Sequence, residues 1–143
     1  MGQSSASVIG LDIGTVRIGV SKASWPVGLP SPMTTLINNQ AFWDNFTQLV
    51  KEENVKFIIV GRPRDMSSQV TKQTAYVDNF IAQIKAKIDR PLYIQDEAVT
   101  SIRAEEELKA RGKPYKKEDI DALSATYILE DYLRDHQHEE NKK

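Results

Sequence analysis

The first part of the chain alternates short apolar runs with glycines and polar residues, a pattern typical of strands. Residues 8–13 and 17–21 predict two strands, and the tight turn at Gly14 and Thr15 between them indicates an antiparallel hairpin. Residues 25–32 contain three prolines and predict a loop. Residues 33–37 have the composition of a short third strand.

Further along the chain, apolar residues recur at intervals of three and four, which is the spacing of one face of a helix. This spacing is clear where Phe42, Phe46, Leu49 and Val50 follow one another. It predicts four helices, over residues 41–53, 69–88, 100–110 and 118–133. From residue 134 onward the chain is charged and has no apolar residue, so we expect a disordered tail over 134–143.

Two more strands are predicted between the helices, at residues 55–60 and 92–96, with a loop over 61–68. The first of these shows little alternation, which is typical of a parallel strand covered on both faces. The order β-β-β-α-β-α-β-α-α therefore predicts an α/β domain over residues 1–133. We expect a mixed five-stranded sheet, antiparallel across β1–β3 and parallel at β4–β5, with helices on both faces. Right-handed crossovers place the fourth strand beside the first.

Composition limits the chemistry that the chain can perform. Its 143 residues contain no cysteine, which excludes disulfides, thiol nucleophiles and cysteine-based metal sites. The two histidines, His136 and His138, lie in the charged tail, so catalysis by a positioned imidazole is not expected. Carboxylates, hydroxyls and basic side chains remain. The formal net charge of −1 excludes a general attraction for polyanions, so any contact with nucleic acid must come from a local patch.

No segment of the sequence predicts a membrane or export signal. The longest apolar run, residues 57–60, is far shorter than the ~20 residues that span a bilayer. The first residues lack a basic stretch followed by an apolar run. We therefore expect a cytoplasmic protein with no membrane partner.

Carboxylates in three separate segments occupy positions that an apolar core does not explain. Asp12 lies between Leu11 and Ile13 in a predicted strand. Asp96 and Glu97 end the last strand, and Asp121 lies beside the apolar face of the last helix. The carboxyl ends of parallel strands are where ligands bind in open sheets, so the three could converge there. Each taken alone also fits a structural role: a turn, a lead into the next helix, or a first-turn carboxylate at the helix dipole. Only their coincidence favours a site.

Converging carboxylates repel one another, and a divalent cation removes that penalty. Magnesium prefers oxygen ligands and pairs readily with phosphates. Two such ions about 3.5–4 Å apart would activate a water and stabilise the leaving oxygen of a phosphodiester. This chemistry requires neither cysteine nor histidine.

Four blocks of the sequence resemble a known family. They are residues 10–20 (GLDIGTVRIGV), 59–63 (IVGRP), 96–101 (DEAVTS) and 121–125 (DALSA). In this order and spacing, from residue 8 to about 133, they resemble the YqgF proteins. These are RNase H-like proteins that are described as pre-16S rRNA nucleases and as Holliday junction resolvases.

The resemblance implies an RNase H-like fold and a carboxylate site for Mg2+ or Mn2+, with two ions when substrate is bound. Carried over by position, Asp12 is the central catalytic and metal ligand, Glu97 the second and Asp121 the third. The chain departs from the family at Ala98, where arginine is usual, at Arg62, where leucine is usual, and at residues 65–68. These differences bear on substrate choice more than on metal binding.

Several side chains near the predicted edge are candidates for contacts with nucleic acid. Arginine donates two parallel hydrogen bonds to phosphate, and hydroxyls can add further contacts. Each of these residues could instead be a solvated charge, a turn residue or an N-cap. The candidates are Arg17, Arg62, Arg64, Thr15, Thr100 and Lys117, the last near Lys113 and Lys116.

The sequence leaves several functions open. The first is a metal-dependent nuclease of structured RNA, acting in the 5'-end processing of precursor 16S rRNA during ribosome biogenesis. The alternatives are a Holliday junction resolvase acting on branched DNA and a non-catalytic nucleic-acid-binding module. An actin-like ATPase fragment would need a second domain that 143 residues do not supply. A monomer or a weak homodimer is expected, and a resolvase in particular should dimerise because it cuts two strands symmetrically.

Overall fold

Five strands and four helices make up the described part of the chain, which in the computed structural model comprises residues 5–63, 71–97 and 100–136. The strands are β1 (Ser7–Ile13), β2 (Arg17–Ser24), β3 (Ser31–Ile37), β4 (Val55–Pro63) and β5 (Leu92–Glu97). The helices are α1 (Phe42–Glu52), α2 (Lys72–Lys87), α3 (Thr100–Arg111) and α4 (Lys117–Asp135). The order of elements is the predicted one.

The sheet has the strand order β3-β2-β1-β4-β5. β1 pairs antiparallel with β2, with Asp12 opposite Gly19, and β2 pairs antiparallel with β3. β4 pairs parallel with both β1 and β5. The predicted mixed sheet is thus confirmed. Because β1, β4 and β5 run in the same direction, their carboxyl ends lie at one edge of the sheet.

Helices cover both faces of the sheet, as expected. α1 and α2 pack on one face, where Leu11 and Ile13 of β1 join Phe46 and Ile81 in the main hydrophobic core. Each large side chain buried there contributes about 1.5–3 kcal/mol to stability. α4 packs on the opposite face through Ile128 and its neighbours, and α3 packs on the outside of α4. Alternation along β1 therefore turns Asp12 away from the main core and toward α4.

Glycines allow α4 to lie directly on the sheet. A Cβ atom added at Gly19 would lie 2.0 Å from the carbonyl oxygen of Asp121. One added at Gly61 would lie 2.3 Å from Cδ1 of Ile128. At Gly19 no side chain fits without moving the helix backbone, whereas at Gly61 the Ile128 side chain would have to shift. Gly19 therefore fixes where α4 crosses and where Asp121 lies.

Several predicted boundaries are corrected by the structure. β3 begins at Ser31, inside the predicted loop over residues 25–32, because Ser31 and Pro32 pair with β2. Residues 61–63, predicted as loop, continue β4, because Gly61, Arg62 and Pro63 pair with β5 as far as Glu97. Pairing with a neighbouring strand here outweighs the turn signals of glycine and proline. The start predicted for α2 was three residues too early, because Thr71 is its N-cap and accepts the Thr74 N–H at 3.1 Å.

A further correction concerns the end of α4, which continues past the predicted residue 133 to Asp135. Arg134 pairs with Asp131 at 3.1 Å, and Gln95 donates to Asp135 at 3.0 Å, so contacts with the folded domain hold this last turn. The rest of the expected tail, residues 137–143, lies outside the described residues, as do Arg64 and Ala98. Within the described ranges, every helix is too short or too polar to cross a bilayer.

Candidate active site

Asp12 lies near the end of the central strand, on the face covered by α4. Its side chain is largely shielded from solvent. Burial, followed by the negative charge of Asp121, raises the pKa of Asp12 from 3.8 to about 7. The two carboxylates are therefore near enough to interact, although 109 positions separate them in the sequence.

Asp121 lies in the second turn of α4 and is paired with Arg17, the first residue of β2. Arg17 Nε donates a hydrogen bond to Asp121 Oδ2 at 2.5 Å. This hydrogen bond and the charge of Asp121 raise the pKa of Arg17. Arg17 was predicted as a phosphate contact, and in this structure its guanidinium is bound to a carboxylate of the site.

Glu97, the last residue of β5, lines the same cavity as Asp12. This active-site cavity has a volume of about 290 Å³ and opens at the carboxyl edge of the sheet. Thr100, the buried first residue of α3, also lines it. The sheet register explains the meeting, since β1 and β5 flank β4 and end at the same edge.

Asp131 is an acidic residue of this region that sequence reasoning missed. It is only 8% exposed and lies against Glu97. Burial, a hydrogen bond with Asp131 and the charge of Asp131 raise the pKa of Glu97 to about 7. Arg134 and Arg103 lie 3.1 and 3.9 Å from the Asp131 carboxylate. The available signal in the sequence was its position three residues after Ile128, a residue on the apolar side of the predicted last helix, because that spacing places both on one side of a helix.

The other predicted contacts are distributed around this edge. Arg62 lines the active-site cavity, but its guanidinium donates to Asp78 of α2 at 2.8 and 3.1 Å. Thr15 is exposed in the β1–β2 turn. Lys117 is exposed at the first residue of α4 and is not among the residues that line this cavity. Arg64 lies outside the described residues.

The chemistry of the donors is suited to a hard divalent cation, because Asp12 and Glu97 offer carboxylate oxygens to one cavity. Ser124, three residues after Asp121 on α4, is not among the residues that line this cavity, and its buried Oγ has no hydrogen-bond partner among the described residues. Among the residues that the structure describes, no three acidic or histidine side chains lie close enough together to bind one ion. Asp121 forms an ion pair with Arg17, and Glu97 shares a hydrogen bond with Asp131.

Comparison with known proteins gives the same fold and points to one family. A Sulfurihydrogenibium protein (strain YO3AOP1) named "Putative pre-16S rRNA nuclease" is 35% identical over 129 residues, 88% of each chain. A protein of the same name from Chloroflexus aggregans is 34% identical over 131 residues, covering 89% of this chain and 92% of its own. Thermus thermophilus RuvC, solved in complex with Holliday junction substrate, aligns with a TM-score of 0.55 at 14% identity. That alignment covers 90% of this chain and 95% of RuvC, and it shows an RNase H-like fold.

The family model described as "RuvX: Holliday junction resolvase" matches residues 6–135. This range contains all four sequence blocks that resemble YqgF proteins, together with Asp12, Glu97 and Asp121. The resemblance predicted from the sequence is therefore confirmed, and the chain belongs to the RuvX family.

Proposed function

We propose that this chain is a metal-dependent endonuclease that hydrolyses phosphodiester bonds of structured RNA, in the 5'-end processing of precursor 16S rRNA. The observation that carries the proposal is the meeting of Asp12 and Glu97, from two different strands, in one cavity next to Asp121. The names of the two similar bacterial proteins support rRNA as the substrate. Such a substrate is cytoplasmic in a bacterium, in agreement with the location expected from the sequence.

In this proposal Asp12, Glu97 and Asp121 hold Mg2+ or Mn2+, with two ions when substrate is present. The ions supply an activated water and charge stabilisation at the leaving oxygen. The raised pKa values of Asp12 and Glu97 support this role, because carboxylates in such surroundings bind a cation at the expense of a proton.

The chain's own residues would orient the substrate around these carboxylates. Thr100 lines the cavity and can donate a hydrogen bond to a phosphate that enters it, whereas Arg62 lines the same cavity with its guanidinium bound to Asp78. Arg17 holds one oxygen of Asp121 and so fixes the direction of that carboxylate. Thr15 and Lys117 lie at exposed positions from which they could contact the backbone of a bound strand.

A branched DNA junction is the second candidate substrate, favoured by the description of the matching family. Symmetric cutting of a junction requires two active sites related by a two-fold axis, and therefore a dimer. An RNA-processing nuclease can work as a monomer. We propose a monomer or a weak homodimer, and a stable dimer that cuts junctions would favour the second candidate.

A cleavage panel tests the proposal. Purified protein is incubated with a precursor rRNA leader, a four-way DNA junction and single-stranded controls, with Mg2+ or Mn2+. We expect cleavage of the leader and a loss of about 100-fold or more in Asp12→Asn and Glu97→Gln. Asp96→Asn is the matched control, because Asp96 is the exposed carboxylate next to Glu97 and does not line the cavity. Unchanged cleavage by Asp12→Asn would remove that residue from the mechanism.

Calorimetric titration with Mn2+ separates catalysis from simple binding. A nuclease of this type should give a heat of binding that Asp12→Asn weakens. RNA binding without metal-dependent turnover, and without heat at millimolar Mn2+, would instead support a non-catalytic binding module.

A further inference from the structure

A basic segment connects α3 to α4. Residues 109–117 contain five basic residues and no acidic one, and all five are exposed: Lys109, Arg111, Lys113, Lys116 and Lys117. Since the whole chain has a net charge of −1, the remainder of the chain is net acidic. This connection is therefore a local stretch of net positive charge in an otherwise net acidic chain, and we call it the basic segment.

The lysines of the basic segment are available for an anion in a way that the arginines near the active site are not. Arg17 is bound to Asp121 and Arg62 to Asp78. In the basic segment Arg111 is paired with Glu107 of its own helix. The four lysines have no ion pair with any other described residue.

A cavity of about 260 Å³ lies beneath this segment. Its wall is apolar, formed by Pro32 of β3, Leu108, Pro114, Leu123 and the ring of Tyr115, and Arg111 and Lys113 stand among its lining residues. We call it the outer cavity. It is smaller than the ~300–1,000 Å³ pockets that enclose whole drug-sized ligands, which suits a flat group of about the size of one base.

The outer cavity and the active-site cavity share no lining residue. Asp119 lines the outer cavity and Asp121 lies beside Asp12, so they point to nearly opposite sides of α4, two residues apart at 100° per residue. The outer cavity is therefore a separate place on the surface, on another side of α4 from the active-site carboxylates. This start is held in place, because Thr35 Oγ1 donates to the Glu118 carbonyl at 2.7 Å and Asp119 Oδ2 accepts the Lys116 N–H at 2.8 Å.

We propose that the outer cavity and the basic segment form a second binding site for the substrate strand, which takes one unpaired base in the cavity and its flanking phosphates on the lysines. The inference rests on the proposed function for the identity of the ligand. Repeated cations along an exposed connection match repeated phosphates, and an apolar cavity with a tyrosine ring accepts the face of a splayed base. A paired base could not enter, so the site selects single-stranded segments of a structured RNA.

Asp119 is the acidic member of the cavity wall, and its charge has to be compatible with this ligand. One oxygen already accepts the backbone N–H at the start of α4, whose dipole offsets the negative charge. A carboxylate has further acceptor capacity, which the exocyclic amino group of a base can use. Asp119 therefore faces the base, and the lysines face the phosphates.

Binding in EDTA, where a metal-dependent enzyme cannot cleave, tests the site separately from the nuclease proposal. The probe is a fluorescently labelled single-stranded RNA 12-mer, followed by anisotropy over a range of salt concentrations. We expect the double variant Lys113→Glu/Lys116→Glu to bind at least ten-fold more weakly. The logarithm of the association constant falls linearly with the logarithm of the salt concentration. In this double variant the steepness of that line should fall by about 1.4, because each of the two lost phosphate contacts removes about 0.7 for a single strand.

The matched control makes the same charge change on the other helical layer, at the exposed lysines of α1 and α2, in Lys51→Glu/Lys85→Glu. Its binding should change less than two-fold. Equal weakening in both double variants would mean that net charge alone drives binding and would overturn the proposal. No weakening in either would overturn it as well.

The base in the cavity is tested with an abasic strand of the same length. The wild-type protein should bind the abasic strand at least about five-fold more weakly than the intact strand. In Tyr115→Ala the two strands should bind with nearly equal affinity. Equal binding of both strands by the wild type would refute the role of the cavity, whether or not the tyrosine variant folds. Failure of the nuclease proposal would be seen separately, as absence of metal-dependent cleavage by the wild type.

Discussion

Arg17 Nε donates a 2.5 Å hydrogen bond to Asp121 Oδ2 and so joins the start of β2 to α4 across 104 positions of sequence. The contact places a cation next to Asp121, whose negative charge in turn raises the pKa of Asp12. Arg17 thereby compensates part of the negative charge that accumulates at this edge of the sheet. The positions of three side chains are thus coupled electrostatically.

Replacing Arg17 should expose that coupling. In Arg17→Ala the charge of Asp121 is no longer compensated, so the pKa of Asp12 should rise further above its value of about 7. Since Arg17 is partly exposed, the loss of overall stability should be about 1 kcal/mol or less. A 13C NMR titration of the Asp12 carboxyl measures the shift. Arg62→Ala is the control, because Arg62 pairs with Asp78 instead, and an Asp12 pKa that is the same in both variants would refute the coupling.

The metal-free protein should lose stability as the pH rises from about 4 to about 7. The pKa of Asp12 is raised from 3.8 to about 7 in the folded state, so over this window the folded state binds more protons than the unfolded state. This shift corresponds to at most about 4 kcal/mol. Urea unfolding in EDTA at pH 4.5 and 7.5 measures the loss, which should be smaller in Asp12→Asn. Saturating Mg2+ should restore stability most at the higher pH. An equal pH dependence in both proteins would contradict the prediction.

Asp131 should control the titration of Glu97. Because a hydrogen bond with Asp131 and its charge both raise the pKa of Glu97, Asp131→Asn should bring that pKa down from about 7 toward its ordinary value of 4.5. Burial also raises it, so the return should be incomplete. An NMR titration of the Glu97 carboxyl provides the measurement. Glu130→Gln, at the exposed neighbouring position of α4, should leave the Glu97 pKa unchanged, and a similar drop in both variants would argue against a specific contact.

Gly19→Ala should destabilise the fold strongly. The added Cβ would lie 2.0 Å from the Asp121 carbonyl oxygen, so backbone has to move, at a cost of about 3 kcal/mol or more. Gly112→Ala is the comparison, because no atom lies within 4 Å of its added Cβ and only its φ of 72° is unfavourable. Its cost should be about 1 kcal/mol. Denaturant unfolding measures both, and equal losses would show that α4 adapts to the extra methyl group.

Most of the architecture could be predicted from local patterns in the amino-acid sequence. Hydrophobic spacing predicted the order of elements, because alternation and helical periodicity are local properties that do not depend on distant partners. It also selected Asp12, since a carboxylate between Leu11 and Ile13 of a buried strand requires an explanation wherever the strand lies. The family resemblance then indicated Glu97 and Asp121 as its companions.

The ion-pair and hydrogen-bond partners of these carboxylates could be identified from the tertiary structure alone. The contacts of Arg17 with Asp121, and of Asp131 with Glu97, join residues far apart in the chain. The end of β4 also depends on a tertiary contact. Residues 61–63 have the glycine and proline of a turn, but they form strand because β5 pairs with them. Pairing and burial depend on which segments meet, and no local pattern of side chains encodes that meeting. The physical reason is that the energy of a charge is set by its surroundings, which only the assembled fold provides.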